Sequence, residues 1–168
     1  MSAKGIRDID VIRTFVLQGT LNFTRYFFKI RQKRKFVIGK HHREIAAALD
    51  KVLCGEITRL IINIAPRYGK TELAVKNFIA EGLAINPKAK FIHLSYSDDL
   101  ARDNSRGVQD IINEPEYRRI FPATIPTSTN TKKWYTTEGG GLYAVSSAGQ
   151  VTGFGAGLVD EEENDELA

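Results

Sequence analysis

The chain has 168 residues, a net charge of +4 and a single cysteine, Cys54. A chain of this length buries one sizeable core, so we expect one α/β domain with a helical lead-in. One cysteine excludes an internal disulfide and a cysteine-rich zinc cluster. The sequence has neither a run of 18 apolar residues nor the order of a secretory signal, so we expect a soluble, intracellular protein.

The charge is distributed unevenly along the chain. Residues 1–43 carry eleven Lys or Arg against two Asp, a net charge of +9, whereas residues 160–168 carry six acids and no base. Two interpretations of the basic lead-in stay open, contact with a phosphate backbone or favourable placement of positive charge at a helix C-terminus. The densest positive cluster comprises Lys29, Arg31, Lys33, Arg34 and Lys35.

The first half of the chain contains three segments with helical periodicity. They cover Asp8–Gln18, Thr20–Lys33 and Arg43–Leu53, and the third has an apolar face suited to packing on a sheet. A nearly continuous apolar run then extends over Arg59–Ala65. This pattern predicts a central parallel strand that is covered on both faces.

The second half predicts alternating helices and strands. A helix over Thr71–Ile85 precedes a strand over Lys90–Ser95, and a helix capped by Ser97 extends to about Asn113. Residues 121–133 have the composition of a surface loop. This order indicates a three-layer α/β domain with a mostly parallel sheet. After this loop, a hairpin is predicted from Trp134–Thr137 and Leu142–Ser146, and a glycine-rich turn over Thr152–Gly157.

A Gly-Lys-Thr tripeptide lies between the predicted strand and the next helix. Gly69 lets the main chain approach a phosphate, Lys70 adds a point charge for the β- and γ-phosphates, and Thr71 offers a hydroxyl to Mg²⁺. The loop departs from the strict G-x-x-x-x-G-K-[ST] pattern because Ile64 occupies the first glycine position. The alternative is an ordinary strand-to-helix turn with an exposed lysine.

The segment 62–72 resembles the deviant phosphate loop of the large terminase subunit of tailed bacteriophages, in which Pro-Arg and an aromatic residue precede Gly-Lys-Ser/Thr. The similarity covers residues 42–157, and its blocks follow the family's order. The further blocks are Ser95-Tyr96-Ser97, Leu100-Ala101, Ser105-Arg106, Glu116-Tyr117-Arg118, Ile120-Phe121-Pro122 and Thr152-Gly153-Phe154-Gly155-Ala156.

The resemblance implies a P-loop ATPase fold with ATP and Mg²⁺ as cofactors. It implies a catalytic role for Lys70, Mg²⁺ binding by Thr71, and contact of Arg67 with the γ-phosphate as a sensor of hydrolysis, against the alternative of an arginine that is merely exposed. His42 or Phe36 lies where relatives contact adenine, and the alternative for His42 is a surface histidine with its hydrogen bonds satisfied. The implied nucleotide-contacting loop comprises Pro66, Arg67, Tyr68, Gly69, Lys70, Thr71 and Glu72.

The acidic residues that such an ATPase needs are less clearly marked. Asp160 and Glu161 follow only Leu158 and Val159 in a glycine-rich context, so the strand before them would be very short. We expect the acidic strand to lie beyond Ala168 and the chain to be a fragment, without the family's nuclease domain. ATP binding is then expected to be weak, and hydrolysis slow or absent.

The implied activity is ATP hydrolysis that drives double-stranded DNA into procapsids. The partners implied by the resemblance are DNA, the small terminase subunit, the portal protein and further copies of the chain, in the bacterial host cytoplasm and without membrane contact. We divide the chain into a lead-in, residues 1–43, and the amino-terminal portion of an ATPase domain, residues 44–168. The alternatives are a helicase-like DNA-dependent ATPase and a non-catalytic nucleic-acid or partner-binding module.

Overall fold

A computed structural model describes residues 8–147 of the chain, and within this range the fold is α/β with a three-stranded sheet. No helix in the described range is long and apolar enough to cross a membrane. The elements are α1 Asp8–Val16, α2 Thr20–Gln32, α3 Lys40–Leu53, a π-helical segment Glu72–Asn77 that continues as α4 Phe78–Ile85, β1 Lys90–Ser95, α5 Asp98–Asn113, α6 Pro115–Ile120, β2 Lys133–Tyr135 and β3 Gly141–Ser146.

The lead-in helices pack into the main core. Phe23 and Phe27 are four residues apart on α2, so they share one helix face, and their ring centroids lie 4.6 Å apart. Both are fully buried beside Tyr117 of α6, whose hydroxyl donates to the carbonyl oxygen of Ala80 at 2.8 Å. The two predicted lead-in helices are therefore confirmed, and they share one hydrophobic core with α4–α6.

The sheet has the order β1-β3-β2 and is mixed. β1 pairs with β3 in parallel, with Lys90 opposite Gly141, and β2 pairs with β3 antiparallel, with Trp134 opposite Leu142. A Cβ at position 141 would lie 2.2 Å from the carbonyl oxygen of Trp134, so this hairpin requires glycine there. The predicted α/β class and the hairpin are confirmed, whereas only one of the two strand pairs is parallel.

The predicted central strand over residues 59–65 is wrong for the described structure. No described strand pairs with this segment, and Ile61 is 94% exposed. Ile62 packs against the small buried cluster formed by Ala46, Leu49 and Leu73, so one face of the extended segment is partly covered. A strand also needs a neighbour for its N–H and C=O groups, which apolar composition alone does not supply.

The helix predicted after the Gly-Lys-Thr tripeptide is confirmed, but its first part is π-helical. The buried Asn77 amide donates to the carbonyl oxygen of Glu72 at 2.8 Å and to its carboxylate at 2.9 Å. These hydrogen bonds link the first residue of the π-helical segment to its last residue. Ser97 caps α5 as predicted, because its hydroxyl accepts the N–H of Leu100 at 3.3 Å.

Candidate nucleotide-binding loop

The main chain turns sharply between the extended segment and the helix. Arg67 and Gly69 both adopt left-handed conformations, with φ of 67° and 74°. This backbone costs glycine little but costs arginine about 1–2 kcal/mol. The helix then begins with a hydrogen bond from the Leu73 N–H to the carbonyl oxygen of Gly69 at 2.9 Å. The turn therefore presents the start of a long helix, where amide groups lack intrahelical acceptors and attract anions.

The side chain of His42 packs against this turn and hydrogen-bonds to its main chain. It is 7% exposed, and both of its ring nitrogens contact main-chain atoms. The Gly39 N–H donates to Nδ1 at 2.9 Å, which leaves the proton on Nε2, and Nε2 donates to the carbonyl oxygen of Tyr68 at 3.0 Å. Nε2 of His41 lies 3.2 Å from Nε2 of His42, which is farther than the Tyr68 carbonyl oxygen. Burial and the neighbouring His41 lower the pKa of His42, against the opposing effect of the Tyr68 carbonyl, so the ring is neutral at pH 7.

Position 69, which lies against the imidazole of His42, requires glycine. A Cβ at position 69 would lie 2.8 Å from Nε2 of His42 and 3.4 Å from the ring of Phe36. The backbone of Gly69 is therefore packed directly against the two rings. Its left-handed φ gives a second, independent reason for glycine at this position.

Glu72 is bound on both sides. Its carboxylate forms an ion pair with Arg31 of α2 and also accepts from the amide of Asn77. The Arg31 side chain is only 9% exposed, so this pair is shielded from solvent. Glu72 therefore links the lead-in to the first turn of the helix. It also lines a cavity beside the turn.

A cavity of about 510 Å³ lies beside the turn. This volume lies within the range of small-molecule sites, and the walls combine aromatic rings with cations. Tyr68 is half exposed at its rim. The lining residues are Phe28, Arg34, Lys35, Phe36, Val37, Ile38, Gly39, His41, His42, Arg67, Tyr68, Gly69 and Glu72.

The other loop residues face solvent. Pro66, Lys70 and Thr71 are exposed and do not line the cavity. Lys70 and Thr71 thus place an exposed ammonium and an exposed hydroxyl at the helix start. Within residues 8–147, no three His, Cys, Asp or Glu side chains are grouped so as to hold a metal ion by themselves.

Some of the residues singled out by resemblance lie elsewhere. Tyr117 is buried in the core and Ser97 caps a helix, so both have structural contacts away from the loop. Asp160 and Glu161, like the glycine-rich turn over residues 152–157, lie outside the described residues. Their proposed roles stay predictions.

Sequence reasoning missed part of the cavity wall and its supports. Arg34 and Lys35 were assigned to a nucleic-acid surface or a helix terminus, yet both line the cavity beside Phe36, which the resemblance had placed near adenine. Asn77 also went unnoticed. The available signal was a polar residue within an apolar helix, since such residues are retained where they bond to main chain.

Comparison with protein families, with curated proteins and with solved structures finds no match to the chain in any of the three.

Proposed function

We propose that this chain is the nucleotide-binding portion of a P-loop ATPase of the large terminase type, and that it binds MgATP at residues 66–71. The observation that carries the proposal is the turn with left-handed Arg67 and Gly69, set between an extended apolar segment and a helix start. The resemblance of the loop sequence to that family supplies the activity, ATP hydrolysis that powers DNA packaging.

The triphosphate would bind where the helix begins. The unpaired amides and the positive end of the helix dipole favour an anion there, and Lys70 adds a full charge. Mg²⁺ bound with the nucleotide supplies neutralisation of phosphate charge, and the exposed hydroxyl of Thr71 is the protein ligand available at the helix start. Arg67 is exposed and lines the cavity beside the turn, and its contact with the γ-phosphate is what the resemblance implies.

The nucleoside would occupy the cavity beside the turn. Phe36 and Tyr68 offer aromatic surface for a planar base, and Arg34 and Lys35 give the walls positive charge. The imidazole of His42 is already bonded through both nitrogens, so it does not provide a hydrogen bond to the base. The three-layer arrangement typical of P-loop domains, with further strands beside β1, belongs to this proposal.

DNA contact is proposed for the lead-in. Lys29, Lys33, Arg34 and Lys35 are exposed, which favours contact with a phosphate backbone. Arg31 differs from these four because Glu72 binds it. The four exposed cations also support the second candidate function, a nucleic-acid-binding module that lacks catalysis.

The test is calorimetric titration of the protein with MgATP, comparing Lys70→Ala with Lys51→Ala. Lys51 is an exposed lysine on α3, so its variant loses the same charge away from the loop. We expect Lys70→Ala to weaken binding by about tenfold or more, which corresponds to about 1.4 kcal/mol, and Lys51→Ala to bind like the wild type.

Equal affinities for the two variants, or no heat from the wild type at millimolar MgATP, would reject the nucleotide site. In the second case the non-catalytic nucleic-acid module becomes the better explanation of the basic lead-in. Binding without turnover is compatible with the proposal, since the acids expected to assist hydrolysis are not among residues 66–71.

A further inference from the structure

One imidazole joins two separate stretches of main chain at the candidate loop. The ring of His42 accepts the N–H of Gly39, at the start of α3, and donates to the carbonyl oxygen of Tyr68, in the turn. Because the ring is buried, neither bond competes with bulk water. The position of the turn relative to α3 is therefore fixed by this side chain.

The hydrogen bond to the Tyr68 carbonyl also sets the direction of the N–H in the same peptide, which belongs to Gly69. In a planar trans peptide the carbonyl and the following N–H point in opposite directions, and no cis peptide occurs among the described residues. A Tyr68 carbonyl held toward His42 therefore aims the N–H of Gly69 away from the ring. The left-handed φ values of Arg67 and Gly69 accompany this orientation.

We propose that His42 is a positioning residue, which orients the Tyr68–Gly69 peptide so that its N–H donates to a phosphate of the bound nucleotide. This inference rests on the proposed function and adds to it the device that shapes the loop. It differs from a contact with adenine, since both ring nitrogens are taken by main-chain atoms.

The arrangement requires the neutral ring. Protonation places a hydrogen on Nδ1, opposite the N–H of Gly39, so that two donors face each other. Burial already lowers the pKa of His42, with a further contribution from His41, and the carbonyl of Tyr68 opposes both. The bond to Gly39 is thus lost only when the pH falls below the ordinary histidine range. The titratable and charged groups around the same cavity are Arg34, Lys35, His41, Arg67, Tyr68 and Glu72.

The experiment measures binding of Mg-tripolyphosphate and of adenosine as separate probes, for the wild type, His42→Ala and His93→Ala. A positioning role predicts that His42→Ala loses about tenfold or more in tripolyphosphate affinity and retains its adenosine affinity. His93→Ala, which removes an imidazole from β1 outside the cavity, is expected to bind tripolyphosphate like the wild type.

A second variant separates positioning from general packing. His42→Gln keeps a donor and an acceptor but does not titrate, so its tripolyphosphate affinity should depend less on pH between 7.5 and 5 than that of the wild type. The probe's own titration is common to both proteins and cancels in the comparison. This variant also decides the matter if His42→Ala does not fold.

The outcomes distinguish the two proposals. If the wild type binds tripolyphosphate and His42→Ala binds it equally well, or if His42→Gln has the same pH profile as the wild type, the positioning role is wrong while the nucleotide site stands. If the wild type binds neither MgATP nor tripolyphosphate, the proposed function itself fails.

Discussion

The helical core and the candidate loop are stabilised in different ways. In the core, fully buried side chains such as Phe27, Ile112 and Trp134 pack against one another across several elements. Around the loop, residues 59–71 are mostly exposed, and their shape depends on a few polar contacts to main chain. Burial therefore sets the stability of the fold, while a small number of hydrogen bonds sets the conformation of the candidate site.

This difference separates the effects of substitutions. Removing a core side chain takes away buried area and leaves a cavity, so it lowers the free energy of unfolding. Removing a loop contact, such as the bond from His42 to Tyr68, changes a local main-chain direction in a region that buries little. Substitutions in the core are thus expected to alter stability, and those in the loop to alter binding.

The largest expected effect is that of Phe27→Ala. Phe27 is fully buried between Phe23 and Tyr117, and truncation of such a ring costs about 3–5 kcal/mol in the free energy of unfolding. Urea denaturation measures this loss. Phe15→Ala on α1 is the matched control, because Phe15 is 43% exposed and should cost much less. Similar losses for both variants would show that α2 does not share the main core.

Glu81 gives the core an unusual dependence on pH. The side chain is 1% exposed on α4, and one of its carboxyl oxygens has no hydrogen-bond partner within the described residues. Burial raises the pKa of Glu81 to about 8, with Thr20 acting in the opposite direction and Asp50 adding to the increase. The folded protein therefore carries a neutral carboxyl group in its core at pH 7.

The second prediction follows from the sign of this shift. The raised pKa contributes stability that is complete below the ordinary carboxyl range and is lost as the pH rises toward 8, because the unfolded chain releases the proton and the folded chain keeps it. In the wild type, the free energy of unfolding should fall by on the order of 1 kcal/mol per pH unit between about pH 5 and 8. We expect Glu81→Gln to remove this dependence on pH.

Urea denaturation at pH 5, 6.5 and 8 measures this difference between Glu81→Gln and the wild type. Glu138→Gln, a change at an exposed position in the turn before β3, is the control and should leave the pH dependence as it is. Parallel curves for the wild type and Glu81→Gln would mean that the buried carboxyl group is accessible to solvent.

The smallest expected effect is that of Ile61→Thr in the extended segment. Ile61 is 94% exposed, so the change should alter the free energy of unfolding by less than about 0.5 kcal/mol. The same substitution at Ile112, which is fully buried, should cost several times more. A large loss for Ile61→Thr in urea denaturation would show that this segment is packed in solution and would weaken the contrast between the two regions.

The sequence predicted those parts of the fold that depend on local pattern. The helices over α1–α5, the strand Lys90–Ser95 and the cap at Ser97 follow from periodicity and from hydrogen bonds between near neighbours. The strand predicted over residues 59–65 does not form within residues 8–147, because pairing is a property of two segments and composition reports only one. The short helix that begins at Pro115 was not predicted either.

The candidate site was predictable in part for the same reason. Gly69 was recognised from its neighbours in the chain, and its left-handed conformation agrees with the need for glycine. The contacts of His42 with Tyr68 and of Arg31 with Glu72 join residues that are 26 and 41 positions apart. No spacing rule covers such distances, so these supports appear only in three dimensions.

The π-helical segment at the start of the long helix has a consequence for how the chain tolerates change. A π-helical turn contains more residues than an α-helical turn, so it alters the rotational phase of everything that follows. The rotational offset between Lys70 and Thr71 and the face that α4 turns to the core is therefore set by Glu72–Asn77. Deletion of one residue within this segment, which would restore α-helical spacing, is expected to rotate Lys70 and Thr71 by about 100° relative to α4.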